Sequence, residues 1–135
     1  MDTATVEYLG ELRIRATHVR SGDQFLTDAP LDNHGKGEAF SPTDLLATAL
    51  ANCMRTLRGI AANARGLELK HLRARVVKHM ASGPRRVERV EVHVTMDGTD
   101  LGEAERTLLE AAARTCPVAK SLHPDLVQDI HFIYG

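Results

Sequence analysis

The chain has 135 residues, a formal net charge of −1 and 4% aromatic residues, with no tryptophan. This length fits one domain, or one subunit of a small oligomer, with a core of Leu, Val, Ile, Ala and Met. Because charges of both signs are interspersed, nucleic acid is excluded as the main partner. No segment approaches the roughly 20 apolar residues of a transmembrane helix, so we expect no membrane partner.

The N-terminus alternates polar and apolar residues from its start, so we expect no signal peptide and a cytoplasmic, reducing location. Cysteine is used sparingly, at Cys53 and Cys116 only. In a reducing compartment such a pair is either redox-active or inert, rather than a permanent disulfide.

The N-terminal strands are predicted over residues 4–27. Alternating polar and apolar residues indicate a β-hairpin over 4–17, with a tight turn at Gly10-Glu11. A third strand is predicted at about residues 25–27. Residues 28–40 form a long loop, and loops of this length are often functional.

The clearest helix is predicted over residues 42–65. Ser41 and Asp44 form a start like a capping box, and Pro42 suits the first helical position. The spacing of apolar residues places Cys53 in the middle of the buried stripe. The other members of this stripe are Leu46, Ala49, Leu50, Leu57 and Ile60. Because Ala and Leu occupy more than one face, we expect a second copy to cover the helix in a homodimer.

The second half of the chain begins with a predicted β-hairpin over residues 67–96, in which Val76 faces Val90. A second helix is predicted over 101–116 and a final strand over 127–134. The dominance of hairpins predicts an α+β fold, in a single domain over residues 1–135.

Each cysteine alone is best explained as a small buried hydrophobe. Cys116 directly precedes Pro117, so it is a candidate cap for a following short helix, whose amide groups favour a thiolate. Metal binding is not expected, because the seven histidines are scattered and no C-x-x-C is present. A third interpretation is thiol-dependent hydrolysis or acyl transfer, with His34 as the best-placed base.

Two segments resemble the OsmC/Ohr family. Residues 41–46 (SPTDLL), an Ala-rich turn and residues 52–54 (NCM) resemble the helix that carries the family's peroxide-reacting cysteine. Residues 113–118 (ARTCPV) resemble its second-cysteine helix. The order of the elements also matches, so the resemblance covers nearly the whole chain.

The resemblance implies antiparallel sheets packed on two central helices in an intertwined homodimer, with sites at the subunit interface. It implies that Cys53 attacks an organic hydroperoxide, and that the resulting sulfenic acid condenses with Cys116 to a disulfide. An external dithiol, such as a lipoylated protein, or a small thiol then reduces the disulfide. No bound cofactor is implied.

The sequence departs from the family's peroxidases at Thr43, where those enzymes carry a glutamate paired to an arginine that activates the cysteine. An uncharged threonine cannot hold an arginine by an ion pair. Candidates to supply or hold an activating cation are Arg20, His34, Lys36, Glu38 and Asp44. The alternative function is a non-catalytic dimer that binds a small apolar or thiol ligand at the subunit interface.

Overall fold

The computed structural model describes residues 1–64, 66, 70–99 and 101–135, with the side chains of 55–58, 60–64 and 70–71 left out. The predicted helix end at residue 65, the strand start at 67–69 and the stripe positions Leu57 and Ile60 lie outside what is described. The chain divides into two compact units, Met1–Leu46 and Ala47–Gly135. The single domain over 1–135 stays a prediction.

Runs of strands separated by helices give the α+β order that the sequence predicts. The order is β1 (Ala4–Gly10), β2 (Arg13–His18), β3 (Gln24–Asp28), α1 (Pro42–Ala64), β4 (Lys70–Ala81), β5 (Arg86–Asp97), α2 (Glu103–Arg114), α3 (Pro117–Ser121) and β6 (Val127–Tyr134). A short 3₁₀ helix, Leu31–Asn33, lies in the loop before α1.

The first unit contains an antiparallel sheet in the order β1-β2-β3. The turn between β1 and β2 lies at Glu11 and Leu12, with φ angles of 54° and 62°. It is one residue later than the predicted Gly10-Glu11 turn. Positive φ at both central residues matches the right-handed twist of the paired strands, which explains why the hairpin closes tightly here.

One face of this first sheet is apolar and exposed. Val6 pairs with Ala16, which pairs with Phe25, so these side chains share a face. Val6 is 71% exposed and Phe25 is 51% exposed, and nearby Tyr8 is 62% exposed. Apolar patches of this kind on a single chain mark surfaces that another molecule covers.

The second unit contains a mixed sheet in the order β4-β5-β6. Strands β4 and β5 are antiparallel, whereas β5 and β6 are parallel. The prediction of antiparallel sheets is therefore wrong for β6. The chain between β5 and β6 passes through α2 and α3. A helical crossover of this kind brings the chain back to the edge of the sheet where β5 begins, so β6 runs in the same direction as β5.

The register of the β4–β5 hairpin differs by two residues from the predicted one, because Val76 faces Val92 and not Val90. The pairing shifts between His79 and Met80, and a bulge of this kind changes the register. Because side chains alternate with a period of two residues, a shift of two residues leaves each side chain on the same face of the sheet. The predicted buried face of β5 is therefore confirmed. It consists of Val90, Val92, Val94 and Met96.

The core of the second unit joins this strand face to residues of all three helices. Leu50, Met54, Leu109 and Ala113 are fully buried in one cluster with the β5 side chains. Such a cluster of aliphatic and thioether groups is the core that the low aromatic content predicts. In the described part of the chain, no helix has the length and apolar character needed to cross a membrane.

Candidate active site

The helix that carries Cys53 begins with a capping box, as predicted. The backbone N–H of Asp44 donates to Oγ of Ser41 at 3.1 Å, and the backbone N–H of Ser41 donates to Oδ2 of Asp44 at 3.0 Å. Oγ1 of Thr43 is 3.2 Å from Oγ of Ser41. The Asp44 carboxylate therefore stabilises the start of α1.

Cys53 lies at the edge of the buried face of α1, not in its middle. The buried face is formed by Ala47, Leu50, Ala51 and Met54. The predicted stripe is rotated, because its members Leu46 and Ala49 are exposed. Cys53 is half-buried and packs against the core cluster. Cys53 is therefore less buried than Cys116.

Cys116 is fully buried and caps α3. Its backbone is extended, Pro117 occupies the first helical turn, and Sγ accepts a hydrogen bond from the backbone N–H of Ala119 at 3.3 Å. Its side chain belongs to the same core cluster as Met54 and Leu109. The prediction that Cys116 caps the next helix is confirmed.

The two cysteines are neighbours. Both are free, and Cys53 packs against the core cluster that contains Cys116. Burial is the main cause that raises the pKa of Cys116, and its interaction with the Cys53 side chain adds to it. The backbone N–H groups of Ala119 and Val118 act in the opposite direction. At neutral pH Cys116 is thus a protonated thiol beside a less buried cysteine.

A buried ion pair lies in the first unit. Arg13 donates from Nε and Nη2 to the two carboxylate oxygens of Asp28 at 2.7 and 2.8 Å. The Asp28 side chain is fully buried, whereas that of Arg13 is 28% exposed. The backbone N–H of Glu38 also donates to Asp28, at 3.2 Å. The hydrogen bond from Arg13 holds the pKa of the Asp28 carboxyl below its ordinary value.

The candidates for an activating cation lie in the first unit, in varied settings. Arg20 is exposed in the turn after β2. His34 is exposed and ends the 3₁₀ helix with a φ of 65°. Lys36 forms an ion pair with Glu11, which raises the pKa of its ammonium group. The Glu38 carboxylate is exposed and accepts from Arg13 at 3.4 Å. Their role in activation stays a prediction.

Sequence reasoning missed the pair of Arg13 and Asp28. The pairing of β2 with β3 brings them together, because Arg13 of β2 directly faces Asp28 of β3. The predicted third strand ended at Thr27, so Asp28 was assigned to the loop and its pairing with Arg13 was not predicted. Opposite charges at the facing ends of two neighbouring strands are the sequence feature that could have indicated this ion pair.

An apolar cavity of about 210 Å³ adjoins Asp28 within the first unit. Its lining is almost wholly apolar, which suits a small apolar ligand better than a polar one. The lining residues are Tyr8, Leu12, Ile14, Thr27, Asp28, Ala29 and Pro42.

A network of charged side chains covers the second sheet on the face opposite the core. Glu91 contacts Nε2 of His79 at 3.0 Å and Nε2 of His93 at 2.6 Å. The hydrogen bonds with His93 and His79 lower the pKa of Glu91 to about 2. His131 stacks on His93 at a ring separation of 4.7 Å. Among the residues that the structure describes, no group of His, Cys, Asp or Glu is arranged to hold a metal ion.

The chain is similar in sequence to one known family. The pattern of the family described as OsmC-like protein matches residues 35–130, which include both cysteines. No protein with a curated description matches the chain.

Solved structures share the fold over nearly the whole chain. A Psychrobacter arcticus 273-4 protein, provisionally named an osmotic stress induced and detoxification response protein, is 47% identical with a TM-score of 0.92, covering 98% of this chain and 96% of that one. An organic hydroperoxide resistance protein OsmC from Legionella pneumophila is 18% identical, with a TM-score of 0.75 and 98% of both chains covered. At that identity the second likeness shows the fold alone.

Proposed function

The chain belongs to the OsmC-like protein family, and from this membership we propose that it is a thiol-dependent peroxidase that reduces organic hydroperoxides. The observation that carries the proposal is that Cys53 packs against the core cluster that contains Cys116. Cys53 is the peroxide-reacting residue because it is the less buried of the two cysteines. Cys116, held against it in the core, is the resolving residue.

The proposed reaction with peroxide has two steps, an oxidation of Cys53 and a condensation that forms the disulfide. The Cys53 thiolate attacks the terminal oxygen of R–O–OH, the O–O bond breaks, and the products are Cys53 sulfenic acid and, after protonation, the alcohol ROH. The Cys116 sulfur then attacks the sulfenic sulfur, and the thiol proton leaves with the hydroxyl as water. A disulfide between Cys53 and Cys116 remains. The proximity of the two cysteines favours this step over further oxidation of Cys53.

The reductant is an external dithiol, a lipoylated protein or a small thiol, and no bound cofactor takes part. Two thiol groups of the reductant become a disulfide while Cys53 and Cys116 return to thiols, so two electrons balance the one peroxide reduced. The proposed setting is the cytoplasm, in defence against oxidative stress. The name of the 47% identical Psychrobacter arcticus 273-4 protein, provisionally an osmotic stress induced and detoxification response protein, supports this theme.

We include a homodimer in the proposal, in which a second copy covers the apolar face of the first sheet. Val6, Tyr8 and Phe25 are each more than half exposed in the single chain. Covering these side chains removes apolar area from water and stabilises the dimer. The intertwined arrangement and the two central helices belong to the same proposal.

The test is consumption of cumene hydroperoxide in the presence of a dithiol reductant. We expect the wild type to turn over and Cys53→Ser to lose turnover, with circular dichroism showing that the variant is folded. Glu88→Gln is the matched control, because Glu88 is exposed on β5 and is not among the candidates for an activating group. Equal turnover by the wild type and Cys53→Ser overturns the peroxidase.

A second candidate function is a non-catalytic dimer that binds a small apolar ligand. The apolar cavity beside Asp28 favours it. This function predicts that a variant with both cysteines changed to Ser stays folded and that a small apolar compound raises its melting temperature. Replacing Ile14 in the cavity lining by a larger Phe should abolish that shift. A ligand shift that survives Ile14→Phe removes the cavity from consideration.

A further inference from the structure

The two cysteines of the candidate active site differ in burial. Cys116 has no exposed surface and lies within the core cluster of the second unit, together with Met54, Leu109 and Ala113. Cys53 is half-buried at the edge of the buried face of α1. A second copy of the chain can only add burial, so Cys116 stays closed to solutes in a dimer as well.

We propose that the external reductant attacks Sγ of Cys53 in the oxidised protein, and that Sγ of Cys116 is the leaving group. This inference rests on the proposed function, because it requires a disulfide between Cys53 and Cys116. Thiol–disulfide exchange needs the incoming thiolate to approach the attacked sulfur in line with the S–S bond. The core that surrounds Cys116 fills that approach on its side, whereas Cys53 lies at the edge of the buried face of α1 and keeps some exposed surface.

The exchange balances in two steps. An incoming thiolate RS⁻ forms a bond to Sγ of Cys53 while the bond to Cys116 breaks, which gives RS–S–Cys53 and a Cys116 thiolate. A second reductant thiol then attacks the reductant's own sulfur in this mixed disulfide. The products are the oxidised reductant and the Cys53 thiolate, and two electrons have passed to the protein.

The sulfur of Cys116, which is the leaving group in this exchange, has a hydrogen-bond donor that stabilises its thiolate. The backbone N–H of Ala119 already donates to Sγ at 3.3 Å, and this hydrogen bond strengthens when the acceptor becomes a thiolate. Burial acts against the thiolate and raises the pKa of Cys116. Leaving-group stability alone therefore does not favour Cys116, and access decides which sulfur is attacked.

The first experiment locates the mixed disulfide in the wild-type protein. The disulfide is made chemically with diamide, so that no peroxidase activity is needed, and the oxidised protein is then treated with β-mercaptoethanol. Acid quenching, denaturation and alkylation with N-ethylmaleimide follow. Trypsin places Cys53 in the peptide 37–55 and Cys116 in the peptide 115–120, which mass spectrometry separates.

We expect the β-mercaptoethanol adduct on peptide 37–55 and the alkyl group on peptide 115–120. An adduct mainly on 115–120, or divided equally between the two peptides, overturns the inference. Absence of the intramolecular disulfide after diamide treatment also overturns it. If the adduct lies on Cys53 but the wild type fails to consume peroxide, the proposed function fails and the order of exchange stands.

A second experiment compares single variants with a chromogenic aromatic disulfide reagent. We expect Cys116→Ser, which keeps Cys53, to react at least roughly tenfold faster than Cys53→Ser, which keeps Cys116, since access and thiolate fraction set the rate. In concentrated urea the two rates should converge. Equal rates in the folded proteins overturn the inference.

Discussion

Arg13 and Asp28 face each other across β2 and β3, and two hydrogen bonds of 2.7 and 2.8 Å join the guanidinium to the carboxylate. The carboxylate has no exposed surface, so water cannot replace the arginine as its partner. The backbone N–H of Glu38 adds a third donor to Asp28 and ties the long loop to the sheet. This geometry makes the pair a determinant of the loop's conformation before α1.

We therefore expect Asp28→Asn to lower the melting temperature by several degrees. The change removes the charge that Arg13 neutralises and leaves the guanidinium beside a neutral amide. The control is Glu38→Gln, because the Glu38 carboxylate is 65% exposed and its contact with Arg13 is 3.4 Å long. Thermal unfolding followed by circular dichroism measures both. If the melting temperatures of Asp28→Asn and Glu38→Gln are equal, the ion pair of Arg13 and Asp28 does not have this role.

Glu91 predicts a pH dependence of stability. Hydrogen bonds with His93 and His79 lower its pKa from 4.5 to about 2 in the folded protein. A carboxyl with a lowered folded pKa stabilises the fold fully above its unfolded pKa, and this stabilisation disappears as the pH falls from 4.5 towards 2. The acid limb of the stability curve should therefore depend on Glu91.

The measurement is the melting temperature of wild type and Glu91→Gln across that acid range. We expect Glu91→Gln to be clearly less stable at about pH 5 and nearly equal to the wild type at about pH 2. Glu88→Gln is the control on the same strand, because Glu88 is exposed and should change little at either pH. A constant difference between wild type and Glu91→Gln at every pH rules out the ionic origin.

Local patterns in the sequence were enough to predict most of the elements. Capping chemistry located the start of α1 at Pro42, and the final strand was predicted with the bounds that β6 has, Val127–Tyr134. The orientation of β6 was missed, because direction depends on how α2 and α3 return the chain and not on the strand's own residues. One residue of the two-residue error in the β4–β5 register comes from the bulge between His79 and Met80, which leaves no pattern in the sequence.

The candidate site was predictable only where local chemistry defined it. Cys116 before Pro117 indicated a helix cap, and the structure has that cap. The burial of Cys53 was overestimated, because a helix rich in Ala and Leu fits several stripes and only packing selects the one through Met54. The partnership of Arg13 with Asp28 depends on the pairing of β2 with β3, which spacing along the chain does not show.

The cap at Cys116 predicts a difference between two substitutions that both remove the thiol. In Cys116→Ser the hydroxyl oxygen still accepts from the Ala119 N–H, whereas Cys116→Ala leaves that buried N–H without its acceptor. Loss of a helix cap costs about 0.5–2 kcal/mol. We expect urea unfolding to show Cys116→Ser as the more stable variant by about this amount. Equal stability means that the sulfur contributes packing but no cap.

Phe25 tests the proposed homodimer. Phe25 lies on the exposed apolar face of the first sheet, and the adjacent Leu26 points to the opposite face because side chains alternate along a strand. We expect Phe25→Glu to convert the dimer to a monomer by light scattering coupled to gel filtration. The matched control is Leu26→Glu, because Leu26 is 41% exposed in the wild type. This variant should stay dimeric. If Phe25→Glu remains dimeric while Leu26→Glu dissociates, the interface lies on the other face.

Removal of Cys116 should expose the first intermediate of the proposed reaction. When cumene hydroperoxide oxidises Cys53 in Cys116→Ser, the neighbouring thiol that would convert the sulfenic acid into a disulfide is gone. Dimedone, which reacts with sulfenic acids, should therefore label Cys53 in Cys116→Ser and label the wild type only weakly. Mass spectrometry of the intact protein gives the extent of labelling, and Cys53→Ser supplies the background. Equal labelling of wild type and Cys116→Ser would mean that Cys116 does not resolve the sulfenic acid, even though the two cysteines are neighbours.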